Sequence, residues 1–124
     1  MTRQQTGKKG EDEACTHLIG LGHTILERNW RGGHTELDII SLAPDGVHFV
    51  EVKSRTAPCQ AEPEANVTRA KIRHLTEAAG RYLRSADRRN LSDCEIFFDV
   101  VTVIFSNSGT KIEYYPQAFI PTYA

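Results

Sequence analysis

The chain has 124 residues, 40% of them hydrophobic and 25% charged, with a formal net charge of −1. This length suits one domain with a substantial core, spanning residues 1–124, and leaves little room for a second. The balance excludes a uniformly basic protein that coats DNA, and no apolar run approaches a membrane span. The opening stretch from Met1 to Gly10 is polar with no apolar signal region behind it, and residues 1–9 read as a flexible tail. Cys15, Cys59 and Cys94 are odd in number and lack Cys-X-X-Cys spacing, which argues for reduced thiols, hence a cytoplasmic protein, and against structural zinc.

Glu11 to Leu21 reads as an amphipathic helix. Ala14, Cys15, Leu18 and Ile19 recur at helical spacing, and Gly20 and Gly22 can end it. Glu11 lies seven residues before Leu18 and so falls on the buried stripe. An acid near a helix N-terminus is commonly a dipole or capping residue, but its place on the apolar side keeps a site role open. His23 to Trp30 is a first strand with Ile25 as its core residue, and Arg31 to Thr35 is a loop.

Glu36 to Leu42 and Val47 to Lys53 flank Ala43-Pro44-Asp45-Gly46 and read as an antiparallel hairpin, β-branched and aromatic on both sides of a turn. With Pro44 and Asp45 at the centre of the turn, Asp38 faces Glu51 and Glu36 faces Lys53, and period two puts all four on one face. A bulge at Gly46 would slip the register and move one strand's set to the other face. A solvated ladder of ion pairs has the same spacing. Val47 and Phe49 lead the Glu51 face and Ile40 follows Asp38, however, so the carboxylates continue an apolar stripe, where an acid needs a partner or a metal. Two carboxylates with a lysine beside them can form a small Mg²⁺ site with a cation to orient a water or a phosphate.

Ser54 to Ala65 contains Pro58 and Pro63, has no period, and reads as a mobile loop beside that site. Thr68 can cap a second helix running to about Arg84, with Ile72, Leu75, Ala79, Tyr82 and Leu83 inward. Arg69, Lys71, Arg73, His74, Arg81 and Arg84 lie mostly off that face, and Arg88-Arg89 follow. Such a face is either a solvated surface or the electrostatic footprint of a phosphate backbone. Cys94 to Phe105 is the longest strand signal, apolar enough to be central, and Asp99 within it is a buried acid needing a partner or a ladder residue near the sheet end. Lys111 to Tyr115 is a short last strand, with Phe119 and Ile120 packing the tail. His34, His48 and His74 lack the spacing of a metal cluster and read as surface or satisfied histidines.

The order helix, three strands, helix, strand, with an acid, then Asp, then Glu-X-Lys, resembles the PD-(D/E)XK nuclease superfamily. It is closer still to the small bacterial YraN-like family, related to archaeal Holliday junction resolvases. The resemblance rests on Gly7 to Ala14, Ile25 to Arg31, Glu36-Leu37-Asp38-Ile39-Ile40, Phe49 to Arg55, Thr68 to Leu75 and Phe98 to Val101. It implies an α/β, restriction-endonuclease-like fold: a mixed β-sheet flanked by helices in the order αβββαβ(β). It also implies a DNA nuclease in which Asp38 and Glu51 ligate Mg²⁺ or Mn²⁺. Lys53 would position the attacking water, and Glu11 would be the further helix acid of resolvase-like members. Arg28, Arg31, Arg55, Lys71 and Arg73 are candidate phosphate contacts. Branched, single-stranded or duplex DNA is the expected partner, and a homodimer is left open. Two positions depart from the family pattern: Thr35 stands where Gly usually precedes the Glu, and Phe97 where Arg usually precedes Phe-Asp. Those departures and the basic helix face also suit a non-catalytic nucleic-acid-binding module of the same fold, acting in DNA processing.

Overall fold

A computed structural model describes residues 1–58, 65–85, 90–91 and 93–120. Its elements are α1 (Arg3–Gly20), β1 (Thr24–Gly32), β2 (Thr35–Ala43), β3 (Gly46–Thr56), α2 (Arg69–Arg84), β4 (Ile96–Ser106) and β5 (Gly109–Tyr115). The five strands form one sheet in sequence order; β3 and β4 are parallel and the other neighbours antiparallel. The α/β order expected from the sequence is therefore present, with β5 as its optional last strand. Cys59, Pro63 and Arg88-Arg89 lie outside the described residues, as does half of the loop expected from Ser54 to Ala65. Ser54 to Thr56 belong instead to the end of β3.

The first helix is longer than its apolar period suggests. Thr2 caps it by accepting from the Gln5 N–H at 3.1 Å, and the Gln5 side chain accepts the Thr2 N–H at 2.9 Å. This reciprocal box satisfies two free amide groups and starts the helix at Arg3, so residues 3–9 are helical and not a tail. The second helix starts as expected, with the Thr68 hydroxyl accepting from Lys71 N–H at 3.2 Å.

The two helices give the sheet a core on each face. On one, Leu75, Ala78, Ala79 and Tyr82 of α2 pack on Leu37, Ile40, Val47, Phe49 and Phe98. On the other, Ala14, Cys15 and Leu18 of α1 cover Ile39, Val50, Val101 and Val103. Alternation along β3 sends Val47 and Phe49 to α2 and Val50 to α1. β4 is buried on both faces, as its near-continuous apolarity requires. Ile25 only half-buries, because β1 is an edge strand. Phe119 packs on Phe98 with ring centroids 5.1 Å apart, whereas Ile120, expected to pack with it, is 83% exposed.

The α1 face of the sheet ends in a polar network. Asp99, fully buried, accepts from the Tyr114 hydroxyl at 2.6 Å and the Gln117 N–H at 2.9 Å, and meets His48 Nδ1 at 2.6 Å. The other nitrogen of the His48 ring lies 2.7 Å from Asp45 Oδ1, and Phe97 stacks on the ring. Asp99 is thus the buried acid of the two readings, and His48 is a satisfied histidine. A carboxylate at each ring nitrogen requires both to carry a proton. Burial alone would lower the His48 pKa, but Asp99 and Asp45 outweigh it and hold it above 6.5. His23, its ring 4.6 Å from that of His48, is pushed down by burial first and then by His48.

A group whose folded pKa is raised contributes its stability in full below the unfolded value and loses it as pH rises through the folded one. Denaturant titrations should therefore show the wild type losing stability above pH 6.5, with a shallower loss in His48→Gln. Equal slopes in the two proteins would contradict the doubly protonated ring.

Candidate active site

The hairpin keeps the register read from its turn. β2 and β3 pair from Ala43↔Gly46 through Ser41↔His48 to Ile39↔Val50, with Gly46 (φ 148°) absorbing the turn without a slip. Ile39↔Val50 is the last rung. One residue further, the Asp38 carboxylate takes the place of a strand partner and accepts the Val52 N–H at 2.9 Å. Asp38 and Glu51 consequently end side by side, close enough for the Glu51 charge to act on Asp38.

They open into a cavity of about 670 Å³. Glu11 lines it from α1, as the position of that residue on the inward stripe suggests, and Asp38 and Glu51 line it from the hairpin. Val52, Ser54 and Thr56 continue the wall along β3. Among the described residues no three His, Cys, Asp or Glu side chains gather as closely as the ligands of a metal ion. The Asp38–Glu51 pair still fits a magnesium-like ion, which needs one or two carboxylates and keeps several waters.

The charge balance is strained in one direction. Burial, then the Glu51 charge, pushes the Asp38 pKa up from 3.8 to about 7, against the pull of the Val52 N–H and Lys71. Glu11 is also raised, by burial first and with a contribution from Asp38, while Asn29 and Arg28 oppose.

The expected cations fall into different places. Lys53 donates to the Asn66 carbonyl and is not part of the cavity lining, so its expected pairing with Glu36 is absent. The ladder that would have aligned them stops at Ile39↔Val50, and Glu36 instead sits 3.6 Å from Arg31. The lysine that does reach the carboxylates is Lys71, 3.7 Å from Glu51. Arg28 bonds Asp12 at 2.7 Å and lies 3.8 Å from Glu11. Arg55 lines the cavity, and Arg73 is exposed on α2. The basic residues of α2 lie mostly on its exposed side. Arg3 and Thr6, which also line the cavity, had no signal in the apolar period, because the capping box that brings them there is polar.

At Asp38 the folded chain holds a proton that the unfolded chain releases, so stability should fall as pH rises from 3.8 to about 7. Asp38→Asn keeps an acceptor for Val52 N–H and removes the repulsion. In thermal melts with chelator at pH 8, the variant should unfold at or above the wild-type temperature. Unfolding well below it would mean that Asp38 is stabilising as a charge.

A model of the uncharacterised protein family UPF0102 matches residues 10–103, a span that includes Glu11, Asp38, Glu51 and Lys53. A UPF0102 protein of Bacteroides thetaiotaomicron is 37% identical over 94% of this chain and 93% of its own length. One of Parabacteroides distasonis is 38% identical over 96% of each, and one of Nitratidesulfovibrio vulgaris 40% identical over 94% and 85%. No helix among the described residues is long and apolar enough to cross a membrane. The match over most of the chain, on both measures, makes this protein a member of family UPF0102, the YraN family.

Proposed function

We propose that the protein is a divalent-metal-dependent endonuclease of the PD-(D/E)XK plan, hydrolysing phosphodiester bonds of branched or single-stranded DNA. The observation that carries this reading is the convergence of Asp38 and Glu51 in a polar cavity, with Asp38 raised to about 7 by burial and by its neighbour. A folded protein has little to gain from two acids pressed together unless a cation joins them.

Asp38 and Glu51 would hold Mg²⁺ or Mn²⁺, which supplies Lewis acidity at the phosphate and lowers the pKa of a bound water. Glu11 adds a third negative group on the cavity wall and can take a proton from water near the phosphate. Val52 N–H fixes the Asp38 carboxylate, so the position of one ligand is set by backbone and not by a rotamer. Lys71 partly offsets the Glu51 charge. Lys53, which donates to the Asn66 carbonyl, would turn toward the substrate to position the attacking water or a phosphate oxygen. The exposed basic residues of α2 and Arg28, Arg31 and Arg55 suit backbone phosphates beyond the reacting one.

Cleavage of plasmid, single-stranded and four-way-junction DNA should appear with Mg²⁺ or Mn²⁺. It should fall at least about a hundredfold in Glu51→Gln and in Lys53→Ala, with circular dichroism unchanged. Wild-type rates in both variants would remove the site assignment. Salt-steep DNA binding with no cleavage of any substrate would instead make the chain a binding module. No salt-sensitive binding to DNA or RNA would dispose of both readings.

A further inference from the structure

The cavity extends well past the three acids. β2 leaves β3 after Ile39↔Val50, and Val52, Ser54 and Thr56 line the cavity as they follow one another along β3. The facing wall is the first two turns of α1. The Thr6 hydroxyl lies 3.2 Å from that of Thr56, and a Cβ placed on Gly10 would come 1.7 Å from Ser54 Oγ. Both walls therefore run the same way, from Glu51 toward Thr56 on the strand and from Glu11 back toward Arg3 on the helix.

Along that course the chemistry changes sign. Glu11, Asp38 and Glu51 are followed by three hydroxyl residues, Ser54, Thr6 and Thr56, and two arginines, Arg3 and Arg55. Ser54 Oγ is buried against Gly10 without a protein hydrogen-bond partner and belongs to the packing of β3 on α1. Arg55 donates from one nitrogen to the Ser54 carbonyl at 2.8 Å, which leaves its other donors to a ligand. Roughly 13 Å of strand separates Glu51 from Arg55. A nucleoside with a phosphate at each end, together with the reach of an arginine side chain, fills that interval.

We propose that this half of the cavity is a second phosphate subsite, built from Arg3 and Arg55, for the phosphate one nucleotide away from the phosphate at Asp38 and Glu51. The inference rests on the nuclease reading for the first phosphate and adds which part of the substrate the remaining cavity takes. The arginines supply both the charge and the planar donors for phosphate oxygens. Gly10 lets α1 close on β3, because a Cβ there would come 1.7 Å from Ser54 Oγ.

Thymidine 3′,5′-bisphosphate, which carries two phosphates one nucleoside apart, is the direct probe, with the 5′- and 3′-monophosphates as comparison. Calorimetry with Ca²⁺ present should give about tenfold tighter binding of the bisphosphate than of either monophosphate. Arg3→Ala with Arg55→Ala should reduce that preference to less than about twofold. Equal binding of all three ligands by the wild type, or an undiminished preference in the double variant, would overturn the subsite. The nuclease reading fails separately. A chain that keeps the arginine-dependent preference but cleaves no polynucleotide retains the subsite alone, and a chain that cleaves DNA without that preference retains only the nuclease.

Discussion

Asp38 and Glu51 stand beside each other because the hairpin between β2 and β3 cannot continue. Its register is fixed by the two-residue turn and by the apolar residues that Val47, Phe49 and Ile40 send to the α2 core. At Ile39↔Val50 the ladder ends, and the next backbone donor, Val52 N–H, is given to a side chain. A hydrogen bond normally spent on a strand is thus spent on aiming a carboxylate at a second carboxylate. The cavity wall along β3 and the crowding of Asp38, Glu51 and Glu11 all descend from that point. The cores on both faces hold the strands in place against the repulsion.

Two neighbouring clusters beside β3 treat buried charge in opposite ways. Around Asp99 on β4, His48, Tyr114 and Gln117 each contribute a donor, so the negative charge is neutralised within the protein. Asp38 and Glu51 have one backbone donor and a lysine at 3.7 Å between them, and they face a cavity. The first arrangement is complete without a ligand and belongs to stability. The second has one neighbouring lysine for two acids, and the proposed cation site rests on that imbalance.

The acid pair was legible because a short turn converts sequence distance directly into facing positions, and because the neighbours of both acids were apolar. Helix α2 was equally open to reading, since Thr68 marks its start and its apolar residues keep the helical period. What escaped was set by longer-range geometry. The Glu36–Lys53 pairing followed from a ladder assumed to continue, and nothing local announces where strands part. The link between His48 and Asp99 depends on the parallel register of β3 and β4, which the α2 crossover decides. Lys71 reaches Glu51 only because α2 packs where it does. The early start of α1 was available in Thr2 and Gln5, a capping pair hidden in a stretch whose polarity suggested a tail.

The central claim, that Asp38 and Glu51 form a cation site and not a surface ladder, is tested most directly by thermal melting with increasing Mn²⁺. A cation that binds the folded pair better than the unfolded chain raises the melting temperature with concentration by mass action. The account predicts such a rise in the wild type and its loss in both Asp38→Asn and Glu51→Gln. A melting temperature indifferent to Mn²⁺, or variants that respond as the wild type does, would contradict it.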